Sequence, residues 1–251
     1  MLHIKKGEDF IMTLSFKERF ILNFIDDNRW KYITDGLMVT LQVAFFAALF
    51  GIIIGFVIAI IRSTYDKNFK DAKFSVSKFF MVILNFISKI YLTVIRGTPV
   101  VVQLLIIYFV IFGSVNINKT IVAIIAFSIN SGAYVAEIVR SGIMSIDQGQ
   151  FEAGRSLGFG FTKTMWYIIV PQAFKNVLPA LANEFIVLLK ETSVSGYIAL
   201  QDLTKGGDII RGRTFDAFMP LLTVAVIYLV LVMILSWAVG LLERRLRSSE
   251  R

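Results

Sequence analysis

Four stretches of this chain contain no charged residue: 36–61, 97–118, 120–136 and 217–242. A helix needs roughly 17–25 apolar residues to cross a bilayer. Within hydrocarbon, backbone groups must be satisfied inside the segment, so runs of this length are read as spanning helices. Hydrophobic residues make up 56% of the 251 positions, above the roughly 45–50% of a soluble domain. The expected fold class is therefore all-α and integral to a membrane.

The placement of Lys and Arg predicts the topology. Residues 62–78 hold five basic and two acidic side chains, and the tail 243–251 holds four basic and two acidic. Residues 1–35 balance six against six, and the loop 113–119 holds only Lys119. Positive loops stay in the cytoplasm. The 62–78 loop and the C-terminus are then expected inside, and the N-terminus and the 113–119 loop outside. That arrangement requires an odd number of spans. Five are predicted, at about 32–62, 79–112, 119–144, 162–190 and 215–242, flanked by an interfacial segment 1–31 and a short tail 247–251. The domain between them runs over 32–246.

The second predicted span, at ~1.5 Å per residue, is about 50 Å long. A hydrocarbon core is roughly 30 Å thick, so the first half is expected to protrude or lie shallow. The fourth span is the least apolar: Lys175 and Glu184 interrupt it, and Pro171 and Pro179 should kink it. At the N-terminus, Phe10, Ile11, Leu14, Phe16, Phe20, Ile21, Phe24 and Ile25 alternate with charges. Two readings stand for it: a helix lying in the outer interface, or a loosely attached leader. No cleavable signal is visible in residues 1–10. Gly51 and Gly55 are spaced for close helix contact.

Several function classes are excluded by composition. Without cysteine there is no thiol chemistry, and with His3 as the single histidine neither imidazole catalysis nor a His-based metal site is expected. No G-x-x-x-x-G-K-[ST] loop is present, so no phosphate-binding loop of that kind is expected in this chain. The net charge of +8 is accounted for by membrane topology; nucleic acid is not an expected partner, and no cofactor is expected.

Charged groups inside apolar spans cost about 2.5–3.5 kcal/mol near the bilayer centre, so they tend to face cavities or partners. Lys78, Asn85, Lys89 and Arg96 lie within roughly 20° of one line at about 100° per residue. Lys78 and Lys89 are read as snorkelling; Arg96 opens Arg96-Gly97-Thr98-Pro99, where Gly-x-Pro breaks the helix. Asn130, Tyr134 and Glu137 share one helical face, with Arg140 one turn beyond Glu137. Either Glu137 and Arg140 form a structural ion pair, or Asn130, Tyr134 and Glu137 line a translocation path. Asn183 and Glu184 are candidates at mid-depth, with an interhelical hydrogen bond as the alternative role of Asn183.

Between the third and fourth spans lies a polar, glycine-punctuated segment, 150–171, carrying Glu152, Ala153, Gly158, Ile168 and Pro171. It resembles the EAA loop of the membrane subunit of binding-protein-dependent ABC importers, with Gly154 for the second Ala and Val170 for Leu. Arg96-Gly97-Thr98-Pro99 with Gln103, Gly132-Ala133-Tyr134 with Glu137 and Arg140, and Lys190-Glu191-Thr192-Ser193 resemble the polar amino acid branch of that family (Glu191 replaces an Asp). The resemblance covers about residues 30–245.

The resemblance implies a type I permease fold in a bacterial cytoplasmic (inner) membrane, and a cytoplasmic coupling loop, 145–161, that fits a cleft on an ABC ATPase subunit. The partners it implies are two such ATPase subunits, a second permease subunit and an extracytoplasmic amino-acid-binding protein. Coupling is assigned to Phe151, Glu152, Ala153, Gly154, Leu157 and Gly158, and the substrate path to Arg96, Asn130, Tyr134, Glu137 and Asn183. Asp147 is expected to cap a short helix near 148–156, with Gly158 and Gly160 turning the chain and Phe151 and Leu157 as knobs for the partner. An ion-coupled transporter or channel using Glu137 and Arg140 is the competing reading; an intramembrane enzyme lacks the groups it needs.

Overall fold

In the computed structural model, residues 13–70, 73 and 75–248 are described, and they are helical with no strand among them. Phe10 and Ile11, and residues 1–10, where no cleavable signal is visible, lie outside this set. Ten α-helices are labelled here: α1 (Phe16–Phe20), α2 (Trp30–Thr64), α3 (Val76–Gly97), α4 (Val100–Ile106), α5 (Lys119–Met144), α6 (Gln148–Ser156), α7 (Phe161–Thr164), α8 (Val170–Glu191), α9 (Leu203–Thr214) and α10 (Phe218–Ser248). Four segments among the described residues are long and apolar enough to cross a membrane: Trp30–Phe69, Val76–Gly97, Lys119–Met144 and Phe218–Leu246.

The centre of the bundle is α5, whose many small residues let neighbours approach. α2 lies along it in parallel: Gly51 stands against Ser131, Gly55 against Val135, and Ala59 packs with Val139. The buried stripe of α2 is Gly36, Thr40, Ala44, Ala47, Gly51, Gly55, Ala59 and Ser63, small residues about four apart. Without a hydrophobic drive between helices in lipid, such stripes gain their stability from close van der Waals packing. A Cβ at Gly55 would sit 2.4 Å from the Val135 side chain, so the spacing seen in the sequence does serve close contact.

α8 runs the other way, with Ser145 beside Asn176, Gly142 against Val177 and Ser131 hydrogen-bonded to Glu184. The start of α10 packs on α9, and its end shares a groove with Lys175 and Pro179 near the start of α8. Thus α2, α5 and α10 share one direction. The end of α2, α6 and the end of α10 gather at one end of the bundle; α1, the start of α2, α9 and the start of α10 gather at the other.

The expected span 79–112 is divided at the expected Gly-x-Pro break into two helices. Thr98 is extended, as a residue before proline must be, and Pro99 opens α4. The break leaves the last carbonyls of α3 without intrahelical donors. The Gln103 amide nitrogen fills that role, 2.7 Å from the Ile95 carbonyl oxygen and 3.0 Å from that of Thr98. Gln103 meets α5 at Asn130, and beyond it Leu104 and Ile107 pack with Val122, Ala126 and Phe127. α4 therefore covers the first half of α5 and the break falls at mid-depth. α3 alone is about 33 Å long at ~1.5 Å per residue.

The fourth expected span is a continuous helical segment from Phe161 to Glu191, interrupted by a wide π-type turn, Met165–Ile169, just before Pro171. Proline clashes with the carbonyl four residues earlier, and the wider turn accommodates it. Lys163, Lys175, Glu184 and Lys190 keep it the least apolar of the five long helices.

Within the N-terminal segment, residues 15–24 are anchored and not loose. Ser15 and Glu18 form a reciprocal cap on α1, and Asn23 and Phe24 are buried. Arg19 makes a bidentate pair with Asp216, at 2.7 and 2.9 Å, and Asn23 donates to the same carboxylate at 2.8 Å. Asp216 also accepts from the Phe218 backbone, capping α10.

Candidate functional site

Two sets of residues carry the functional expectation, and they sit at different depths of the same bundle. α6 forms over Gln148–Ser156, with the Asp147 carboxylate accepting from the Gly149 amide at 2.6 Å. It closes on Gly158, whose φ of +75° is the left-handed conformation that glycine adopts freely. Gly160 is extended in the ordinary region (φ −69°) and serves as the residue before α7, not as a second turn residue.

α6 has two faces. Phe151, expected as a knob for a partner, points inward: it is 6% exposed and packs with Ala59, Val139 and Ile169. The Lys67 ammonium lies 4.2 Å from its ring centroid, a cation–π contact that ties the turn after α2 to α6. Gly154 is buried too; a Cβ there would meet the Thr164 side chain at 2.6 Å. Glycine in place of alanine is thus matched to Thr164, a closer fit than a mild exchange would give. Glu152, Ala153, Arg155 and Leu157 face outward, with Leu157 70% exposed.

From the α3–α4 break toward the α6 end, four charged side chains form a chain. Arg96 Nη1 lies 3.4 Å from Glu137 Oε2, Glu137 Oε1 lies 3.4 Å from Arg140 Nη1, and Arg140 Nη2 lies 2.9 Å from Asp66 Oδ2. The Arg96 guanidinium also sits 5.8 Å from the Tyr134 ring centroid. Charge alternates along the row, which is how like charges are kept apart in a site of reduced polarity. Glu137 thus pairs with Arg140, one of its two sequence readings, and also faces Arg96.

Asn130 is placed differently. It is 2% exposed and donates to Gln103 Oε1 at 2.9 Å, so it holds the residue that caps the break. Asn183 is exposed and lines a separate groove with Lys175, Pro179 and Glu243; it is not brought together with Arg96, Tyr134 and Glu137. Asp66 and Lys67 escaped the sequence reading. Their only signal was position, just past the apolar run of α2, and their partners are distant in sequence.

The comparisons agree with this architecture. The family described as "Binding-protein-dependent transport system inner membrane component" matches residues 74–248. The arginine transport system permease protein ArtQ of Bacillus subtilis (strain 168) is 37% identical over 221 residues, covering 87% of this chain and 94% of the relative. A putative glutamine transport system permease protein, GlnP of Rickettsia bellii (strain RML369-C), is 35% identical over 217 residues, covering 86% and 93%. A crystal structure of an amino acid ABC transporter with histidines has a chain that is 38% identical, with a TM-score of 0.78, covering 93% of this chain and 99% of that one. The chain belongs to the family of binding-protein-dependent transport system inner membrane components: it is the multi-pass permease subunit of an ABC importer, and ATP hydrolysis falls to a separate subunit.

Proposed function

We propose that this permease carries a polar amino acid inward, past Arg96, Tyr134 and Glu137, when α6 is moved by an ATPase dimer. The observation that carries the reading is the loose Arg96–Glu137 pair at the helix break. At 3.4 Å, with side chains 44% and 35% exposed, the two groups are apposed but not locked; a tight charge-assisted pair closes to about 2.7–2.9 Å. An α-amino acid brings one carboxylate and one ammonium, and it is able to exchange into such a pair while keeping both protein charges partnered. Tyr134 adds a ring wall beside the guanidinium. Asn130 acts through Gln103 by fixing the break, and Asn183 takes no part in this site.

The amino acid class is supported by the named functions of the relatives, arginine and glutamine transport. An ion-coupled transporter is not favoured, because the family draws its energy from a partner ATPase. In this proposal Glu152, Ala153 and Leu157 touch the ATPase, while Phe151, Gly154 and Gly158 hold and shape the lever. The N-terminus lies outside and the C-terminus in the cytoplasm, a second permease subunit completes the path, and an extracytoplasmic binding protein delivers substrate at the α9 end. The positive 62–78 loop at the α6 end supports that orientation.

Purified permease, ATPase and binding protein in vesicles test the reading. ATP hydrolysis and uptake are expected to rise with one or a few of the twenty amino acids, and to survive an uncoupler. No stimulation by any amino acid, or collapse with the uncoupler, would reject it.

A further inference from the structure

Between the end of α2, α5 and the 161–177 segment lies a trough of about 400 Å³ that the transport reading leaves unused. Its polarity is graded. At the deep end Phe56, Ile60, Val139, Phe174 and Val177 line it. At the α6 end the lining changes to Ser63, Thr64, Lys67 and Asn68. The change falls where the charge-free run of α2 ends at Ile61, which is where hydrocarbon gives way to headgroups. Trp166, 65% exposed, stands on the opposite wall, in the position of an interfacial aromatic.

A second observation points to a ligand. Ser63 is 4% exposed and lines the trough, and its hydroxyl oxygen has no hydrogen-bond partner. A buried polar group left without a partner costs about 1–3 kcal/mol, so its persistence calls for an acceptor or donor arriving from outside the chain. Lys67 supplies a positive charge at the same mouth.

We propose that this trough is a binding site for an anionic glycerophospholipid. One acyl chain fills the apolar part. The phosphate meets the Lys67 ammonium, and an ester or phosphate oxygen accepts from Ser63. Basic pockets between spanning helices at a membrane surface bind anionic headgroups in this way. Because Lys67 also lies over the Phe151 ring, an occupied trough and the seat of α6 share one side chain.

Thermal unfolding of the assembled transporter in detergent tests this. Short-chain phosphatidylglycerol is compared with phosphatidylcholine of the same chains and with glycerol 3-phosphate alone. The expected result is a saturable rise in Tm with phosphatidylglycerol, a weaker one with phosphatidylcholine and none with glycerol 3-phosphate. Ser63→Ala and Lys67→Gln should each weaken the phosphatidylglycerol response about tenfold in concentration, a ratio that corresponds to ~1.4 kcal/mol. Ile60→Trp, which fills the apolar part, should abolish the response to both lipids. Equal responses to both lipids that no variant alters would overturn the site, leaving ordinary boundary lipid. A response to glycerol 3-phosphate equal to that of the lipid would overturn the lipid in favour of a free anion. The chain has no cysteine, so Ile60→Cys is a unique label; its disulfide crosslinking between two copies would assign the trough to the second permease subunit and reject the proposal.

Discussion

The two ends of the bundle are held by different means, a shared buried carboxylate at one and a few side-chain contacts at the other. At the α9 end, Asp216 accepts from Arg19, Asn23 and the start of α10, and Thr214 donates to Asn23, so these four groups satisfy one another, while Arg29 Nε, Ser195 Oγ and Asp202 Oδ2 at the same end have no partner. At the α6 end, a nine-residue helix is seated by Phe151, the Gly154–Thr164 contact, Lys67 over the Phe151 ring and a 3.3 Å hydrogen bond from Gln172 to Gln150. Around it the Ser63 and Thr164 hydroxyls have no partner. Fully satisfied polar networks rigidify a fold, and low-stability regions are where moving parts are found. The comparison teaches that one end fixes the helices and the other takes up load from a partner.

The largest expected effect tests the lever itself. Gly158→Asp forces a side chain into the left-handed turn, and Glu152→Lys reverses an exposed charge on the outer face of α6. Each is expected to abolish ATP-driven uptake while membrane insertion persists; normal uptake would remove α6 from the coupling role. Next, the two faces of α6 are separable. Phe151→Ala should lower stability by about 3 kcal/mol, the cost of a cavity in a packed site. Leu157→Ala should leave stability within about 0.5 kcal/mol and weaken ATPase association. Unfolding and pull-down measured on both variants would sink the division if the results were reversed.

At the opposite end, Asp216→Ala leaves Arg19 and Asn23 without their shared acceptor. A loss of about 3 kcal/mol is expected, as for a buried pair broken on one side, with uptake per folded molecule preserved. Lost uptake at unchanged Tm would mean that this end moves as well. Between the ends, Glu137→Ala should reduce uptake or alter the preferred amino acid by roughly tenfold, about 1.4 kcal/mol, with little change in Tm, since exposed pairs stabilise by about 0.2–1 kcal/mol. Unchanged kinetics over all twenty amino acids would return Glu137 to a structural role.

The smallest effect is a pH dependence. Burial works against ionisation of Asp216, yet the hydrogen bonds from Arg19 and Asn23 outweigh it and hold the carboxyl below its ordinary value. A depressed folded-state value means that the stabilisation is complete above the unfolded value, about 3.9. It is lost as pH falls through the lower folded value. Acid unfolding monitored by Tm should therefore show a component that Asp216→Asn lacks; identical acid profiles would show that the pair adds nothing.

What could be read from residues alone followed physical range. Helix 119–144 was placed to the residue, because apolar content and caps are local signals. α6 and its Asp147 cap were legible for the same reason. In the second span the break at Gly97-Thr98-Pro99 was legible because glycine and proline act locally; what was not legible is that Gln103, held by Asn130, makes two helices stable there. Phe151 was assigned to the wrong face because an amphipathic helix of nine residues has no marker for which neighbour it meets.

By itself, then, the chain determined that it lives in a bilayer as helices, in which order they come, and where a short polar lever interrupts them. Tertiary structure decided the rest: the parallel seating of α2 on α5, the inward turn of Phe151, and the row of Arg96, Glu137, Arg140 and Asp66. Hydropathy and capping act over a few residues, whereas those contacts join positions 41 and 74 apart, and only packing brings such groups within reach of one another.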